Sequence, residues 1–237
     1  MSQSSAKIKK IVESLKKLSN PSKAHILQNY LKAPNDRFLG IPVPILRSAA
    51  KEVYKDLNLD EVKELISSST HEIRMLGLIV LVYQFENARK SEYKHLMELI
   101  FDFYLDNLEY INNWDLVDVS CRTIVGNQLL VTQEYNLLYE LANSSSLWAR
   151  RIAIVSTYNL IQNQIFEPTF TIVKMLCADS EPLIHKAIGW LLREVGKQNI
   201  GLLNEFLEES KSKLAKISLN YALEKHPQTQ RQEFLAR

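Results

Sequence analysis

Helical periodicity, repeated from one end of the chain to the other, restricts what this sequence can fold into more than any other feature. Ile8, Ile11, Val12 and Leu15 recur at helix spacing, as do Val62, Leu65 and Ile66, then Ile73, Leu76 and Val80. The pattern continues through Leu96, Leu99, Ile100 and Phe103, then Leu138, Leu141 and Ala142, then Ile152, Val155 and Leu160. It closes with Ile184, Ile188, Leu191 and Val195, and with Leu214, Ile217, Tyr221 and Ala222. Only 6 glycines and 7 prolines interrupt 237 residues, too few for a turn-rich all-β fold. No hairpin dipeptide joins two strand patterns.

The interruptions read as helix punctuation. Asn20-Pro21-Ser22 and Asp179-Ser180-Glu181-Pro182 each put a proline near a first helical turn. Ser69-Thr70-His71-Glu72 and Ser144-Ser145-Ser146 supply capping residues, and Gly40-Ile41-Pro42-Val43-Pro44 ends one helix and launches the next. Three segments also resemble one another: Thr70–Tyr83, Ser146–Tyr158 and Glu181–Val195. Each has a polar start, an early basic residue and a long apolar face. They lie about 76 and about 35 residues apart, close to two units and one unit of a helical-hairpin repeat. The expected fold is all-α, a curved α-solenoid of HEAT-like helical repeats. It forms a single domain over residues 1–237, with tails at about 1–5 and 227–237.

Hydrophobic residues at 46% and charged residues at 24% suit a globular chain and exclude intrinsic disorder. The longest apolar run, Leu76–Tyr83, is far shorter than the roughly 20 residues of a membrane span. The N-terminal MSQSSAKIKK lacks the apolar stretch of a secretory signal. The two cysteines, Cys121 and Cys177, do not make a disulfide framework and point to a reducing compartment. A cytoplasmic protein is expected. The formal net charge is +2 and neither half is strongly basic, so any nucleic-acid reading must rest on where the charges lie.

Three stretches could carry chemistry. In Asn113-Trp114-Asp115-Leu116-Val117-Asp118, Asn113 caps a helix, and Trp114 and Asp118 share one face at i, i+4. An Asp118–Arg122 helix pair explains the same residues without function. In Trp148-Ala149-Arg150-Arg151, one arginine can point out of the core while the other reaches a partner, or both can be solvated. Lys186, Trp190, Arg193 and Lys197 run i, i+4, i+7, i+11, which sets a tryptophan within a basic stripe. Such a stripe offers cations to phosphates and a flat ring to a base or sugar; long basic side chains covering apolar surface would look the same. Gly189, inside that helix, implies close approach of another backbone or a ligand. Lys211, Lys213 and Lys216 form a further basic cluster that reads as a solvated face. The five histidines are scattered, with no metal-ligand spacing, and no GxGxxG, P-loop or GxSxG occurs.

Five motifs stand together in one order. They are Phe38-Leu39-Gly40-Ile41-Pro42-Val43-Pro44-x-x-Arg47, Trp114-x-x-x-Asp118, Trp148-x-x-Arg151, Gly189-Trp190-Leu191-Leu192-Arg193-Glu194, and Leu219-Asn220-Tyr221-Ala222-Leu223-Glu224-Lys225. In this the chain resembles the AlkD-like DNA alkylation repair family, DNA glycosylases built from HEAT-like repeats, from about Tyr30 to Lys225. The resemblance implies a site of Trp114, Asp118, Arg151 and Trp190 on a concave face. It further implies that Tyr30 matches a tyrosine at the start of the family's site. DNA contacts are expected at Tyr30, Arg47 and Arg150, and, from the basic stripe, at Lys186, Arg193 and Lys197. Asn220 stands where relatives carry a more basic helix.

The implied activity is excision of purines alkylated at N3 or N7 from duplex DNA by hydrolysis of the N-glycosidic bond, the first step of base excision repair. A cationic base is already a good leaving group. An ionised carboxylate can then stabilise the sugar cation and place a water, which is the role implied for Asp118. Trp114 and Trp190 would hold the cationic nucleotide through their faces, and Arg151 would grip a phosphate. No metal and no cofactor is implied, and the partner is double-stranded DNA containing alkylated bases. The protein is expected to act as a monomer, nucleoid-associated if bacterial, and away from membranes. The alternative from the same residues is a non-catalytic HEAT-like module that binds DNA or protein.

Overall fold

The computed structural model describes residues 3–31, 33 and 35–236. The fold is all-α. Among the described residues no strand forms, and the isolated bridge of Arg37 with Thr70 ties a loop to a helix start. The chain divides into two compact units, residues 1–120 and 121–237. The boundary falls inside helix α7 (Trp114–Cys121), not at a linker.

The first unit contains α1 (Gln3–Lys16), α2 (Pro21–Leu31), α3 (Val43–Val53), α4 (Leu59–Ile66), α5 (His71–Lys90), α6 (Lys94–Leu105) and most of α7. Helix α5 is its core. Ile73, Leu76, Ile79 and Val80 are buried on one side of it, and Met75, Leu78, Leu81 and Val82 on the other. Helices α3, α4 and α6 pack around it. This explains a segment that is apolar all round where a surface helix would be striped. Helix α4 opens on a capping box. Asn58 Oδ1 accepts from the Glu61 amide at 2.9 Å, and Glu61 Oε2 accepts from the Asn58 amide at 2.9 Å.

The loop before α3 is built by α5. The buried Glu72 carboxylate accepts from the amides of Leu39 (2.9 Å), Gly40 (2.7 Å) and Ile41 (3.3 Å). Gly40 sits at φ +76°, the left-handed region that favours glycine, and a Cβ there would collide with the Asn20 carbonyl. The Phe38–Pro44 motif is thus a structural joint. Its glycine is fixed by backbone geometry, and its prolines sit at the first turn of α3.

The second unit begins with a π-turn, Arg122–Gly126. It continues through α8 (Asn127–Thr132), α9 (Asn136–Ala142), α10 (Leu147–Gln162), α11 (Glu167–Leu176), α12 (Pro182–Gln198), α13 (Ile200–Ser210), α14 (Lys216–Ala222) and α15 (Gln228–Leu235). Helices α10, α12 and α14 stack in a row and begin 35 and 34 residues apart. Helices α9, α11 and α13 alternate with them and pack across the row, the arrangement of a helical solenoid. The three similar sequence segments are the deeply packed helices α5, α10 and α12. Segment 227–237, expected as a tail, carries α15, which buries Phe234. The tail expected at residues 1–5 lies partly outside the described residues.

Gly189 meets another backbone. A Cβ there would lie 2.5 Å from the Ser218 carbonyl oxygen and 2.5 Å from Tyr221 Cβ, so α12 and α14 touch through it. Gly189→Ala gains about 1 kcal/mol of helix propensity but forces the two helices apart at about 1–3 kcal/mol. Net destabilisation is expected, read as a lower urea midpoint. An unchanged or higher midpoint would show that the helices can separate freely.

Candidate functional site

The first unit holds Tyr30, Arg47, Trp114 and Asp118. Tyr30, 67% exposed at the end of α2, meets Trp114 edge to face, with ring centroids 6.0 Å apart at 83°. The start of α7 is held by its neighbours. Asn113 is buried; its Nδ2 donates to the Leu31 carbonyl at 3.1 Å and its Oδ1 accepts from the Trp114 amide at 2.8 Å. The end of α2 and the start of α7 are thereby fastened together, which sets the aromatic pair. Asp118 stands four residues on, half-buried. Asp115 accepts from the Leu116 amide through Oδ1 (2.9 Å) and contacts His71 Nε2 through Oδ2 (2.8 Å). Arg47 stands exposed on α3.

The second unit holds the other expected residues. Arg151 is 5% exposed and donates from Nη1 to the Leu183 carbonyl at 2.7 Å, next to the start of α12. Arg150 is committed to structure. Its Nε donates to Asp179 Oδ2 at 2.6 Å and its Nη2 to Asp179 Oδ1 at 3.3 Å, while Nη1 reaches the carbonyls of Ser144 and Ser145 at 3.0 Å each. Burial pushes the Asp179 carboxyl up. The hydrogen bonds from Arg150 and the Glu181 amide, with Arg150's charge, outweigh that and hold it below its ordinary value.

Trp190 belongs to a cluster that sequence reasoning missed. The Arg122 guanidinium lies 4.9 Å from the Tyr158 ring centroid and 5.7 Å from that of Trp190, and the two rings are 6.0 Å apart. The π-turn delivers Arg122 to this place. A π-turn releases a backbone carbonyl from the regular ladder, and Asn159 Nδ2 donates to the Arg122 carbonyl at 2.8 Å. Helical spacing suggests Asp118 as the partner of Arg122, and nothing in the sequence signals the π-turn or the approach of Tyr158.

The basic stripe is largely answered by carboxylates. Arg193 pairs with Glu224, whose carboxyl is held low first by that hydrogen bond and then by the arginine's charge. Lys197 pairs with Glu194 at 2.8 Å. Lys186 is exposed. A stronger cationic surface lies in the first unit. Residues 1–31 contain six lysines against the single Glu13, and Lys9, Lys10, Lys16, Lys17 and Lys23 are exposed. A charge count over shorter windows than half-chains would have found it. Among the described residues no group of three or more His, Cys, Asp or Glu is placed to hold a metal ion, and no helix is long and apolar enough to cross a membrane. Cys121 is buried, and the half-buried Cys177 donates from Sγ to the Lys174 carbonyl at 3.2 Å.

Comparison with known proteins adds the family. No curated protein matches the chain. Among solved structures, a predicted DNA alkylation repair enzyme from Enterococcus faecalis is similar, with a TM-score of 0.70 at 19% identity over 89% of this chain and 97% of that one. The smu.31 protein of Streptococcus mutans is similar with a TM-score of 0.56 at 18% identity, over 78% of this chain and 92% of that one. At such identities the likeness speaks for the fold. The sequence model of the DNA alkylation repair enzymes matches residues 11–226, nearly the whole chain, and the protein therefore belongs to the DNA alkylation repair enzyme family.

Proposed function

We propose that this protein is a monofunctional DNA glycosylase that excises cationic N3- or N7-alkylated purines from duplex DNA and so opens base excision repair. It acts as a monomer wherever the cell keeps its DNA. The observation that carries this reading is the Arg122 guanidinium seated over Tyr158 and Trp190. A planar, delocalised cation resting on two aromatic rings is chemically close to an alkylated purine, and such rings attract cations through their quadrupoles.

In the proposed reaction the C1′–N bond breaks with its electron pair passing to the base, which neutralises the base's positive charge. The sugar is left as an oxocarbenium ion. Asp118 stabilises that ion and orients a water, whose oxygen bonds to C1′ while its proton leaves to solvent. Trp114 and Trp190 hold the nucleotide by their faces, and Arg151 grips a backbone phosphate. Arg150, engaged with Asp179, supports this machinery through the fold. Release of free 7-methylguanine or 3-methyladenine from methylated duplex DNA tests the reading. A folded wild-type chain that binds DNA and releases no base would make it a binding module.

DNA affinity in this reading is electrostatic. Each phosphate contact adds about one unit to the slope of log K against log salt. Lys186→Gln should remove about one unit, and Arg193→Gln less than that, because Arg193 already spends its charge on Glu224. Replacing Lys9, Lys10, Lys16 and Lys17 by Gln should flatten the slope further. Fluorescence anisotropy across a salt series checks all three, and a slope unchanged in every variant would remove these cations from the interface.

A further inference from the structure

Helix α5 opens on a buried polar hub that the proposed chemistry does not use. His71 and Arg74 are each 3% exposed. The imidazole touches a carboxylate through both nitrogens: Nε2 lies 2.8 Å from Asp115 Oδ2, and Nδ1 lies 3.3 Å from Asp36 Oδ2. One face of the ring stacks on Phe38 at 4.9 Å. Arg74 shares Asp36 Oδ2, donates to the Ser68 carbonyl at 2.8 Å, and reaches Asn112 Oδ1 at 3.1 Å. The partners come from four places: Asp36 and Phe38 from the loop before α3, Ser68 from the turn between α4 and α5, Asn112 from the approach to α7, and Asp115 from α7 itself.

The hydrogen-bond pattern fixes a chemical requirement. An ionised carboxylate only accepts, so both contacts of His71 are complete only when both ring nitrogens carry protons. In that state two carboxylates, one guanidinium and one imidazolium make a neutral buried cluster. With one proton fewer, a ring nitrogen turns a lone pair toward a carboxylate and the cluster keeps an unbalanced negative charge, which is costly away from water. The charged groups around the ring are Asp36 from the loop, Asp115 from α7 and Arg74 from its own helix. The neighbouring Glu72 is spent on the amides of Leu39, Gly40 and Ile41.

Asp115 is the second residue of α7, and its other oxygen caps that helix at the Leu116 amide. Its neighbour Trp114 meets Tyr30. We infer that His71 is a positioning residue: bridging Asp36 and Asp115, it locks the first turn of α7 and the placement of Trp114. The consequence for base excision rests on the glycosylase reading; the lock itself does not.

The test uses the full chain. It contains three tryptophans, so three indole N–H signals can be assigned by Trp→Phe replacement one at a time. In His71→Gln the Trp114 signal should shift and broaden while those of Trp148 and Trp190 stay in place. Single-turnover release of 7-methylguanine should be about tenfold slower, the scale expected of a modest misplacement, with DNA affinity kept. Asp115→Asn retains the Leu116 cap and should move the Trp114 signal in the same way, so it carries the comparison if His71→Gln fails to fold. A Trp114 signal unchanged in both variants, or a change spread equally over all three indoles, overturns the inference. A wild type that releases no base but shows the His71-dependent shift of Trp114 overturns the glycosylase reading and leaves the lock standing.

Discussion

Asp118→Asn should slow single-turnover release of 7-methylguanine or 3-methyladenine by about 10²–10³, equivalent to about 2.7–4 kcal/mol, by analogy with other preorganised electrostatic groups. The replacement keeps the side chain's shape and removes its charge. If the carboxylate stabilises the sugar cation, the loss appears in the chemical step. DNA affinity should hold or rise, because a negative charge near phosphates is gone. A purely structural Asp118, paired along its helix, predicts a stability change of only about 0.2–0.5 kcal/mol and an unaltered excision rate. Rate, affinity and thermal midpoint measured on one preparation separate the two. Equal excision rates would end the catalytic assignment.

Arg150→Ala should produce the largest loss of stability. Its guanidinium grips Asp179, only 5% exposed at the side chain, and closes two carbonyls at the end of the α9–α10 loop. Removing it leaves a buried carboxylate with no counter-charge and only the Glu181 amide as donor, and two carbonyls without theirs, a change of about 3–5 kcal/mol. Urea unfolding should show the midpoint falling accordingly; a drop under about 1 kcal/mol, the scale of an exposed ion pair, would mean that solvent screens the pair. The same contact sets an acid limit. Asp179's carboxyl is lowered in the folded chain, so the unfolded chain binds a proton more readily. This stabilisation is complete above the ordinary carboxylate range and is lost as pH falls through the lowered folded value. In Arg150→Ala that part of the acid sensitivity should shrink.

The adjacent arginines show how far a sequence can be read. Arg150 and Arg151 follow Trp148 by two and three residues, so only Arg151 is its neighbour on the helix, but periodicity alone leaves open which arginine points out and which reaches a partner. The structure separates them: Arg150 reaches Asp179, and Arg151 reaches the Leu183 carbonyl. Each partner lies about thirty residues along the chain, and its distance depends on how α10 and α12 stack. The basic stripe has the same lesson. Lys186, Arg193 and Lys197 form a visible helical row, yet Glu224, which pairs with Arg193, comes from the turn after α14.

What the sequence determined by itself is the part set by local physics. Helix spacing, scarce glycine and proline, caps at Asn20 and Ser146, and the proline in the first turn of α12 establish an all-α chain. The similar segments at α5, α10 and α12 mark its repeat. Trp114 and Asp118 are legible as neighbours because four residues of helix bring them to one face. Even Gly189 is legible as a close backbone approach, since a helix tolerates an interior glycine poorly. Only the tertiary structure decided which charges are spent and which are held in store. Arg122 lies over Tyr158 and Trp190 because a π-turn shifts it there and α10 and α12 converge beneath it. His71 meets Asp36 and Asp115 across 35 and 44 residues of chain. Helical periodicity specifies which face of a helix is buried; the partner waiting on that face is chosen by the stacking of helices distant in sequence, and no local pattern encodes it.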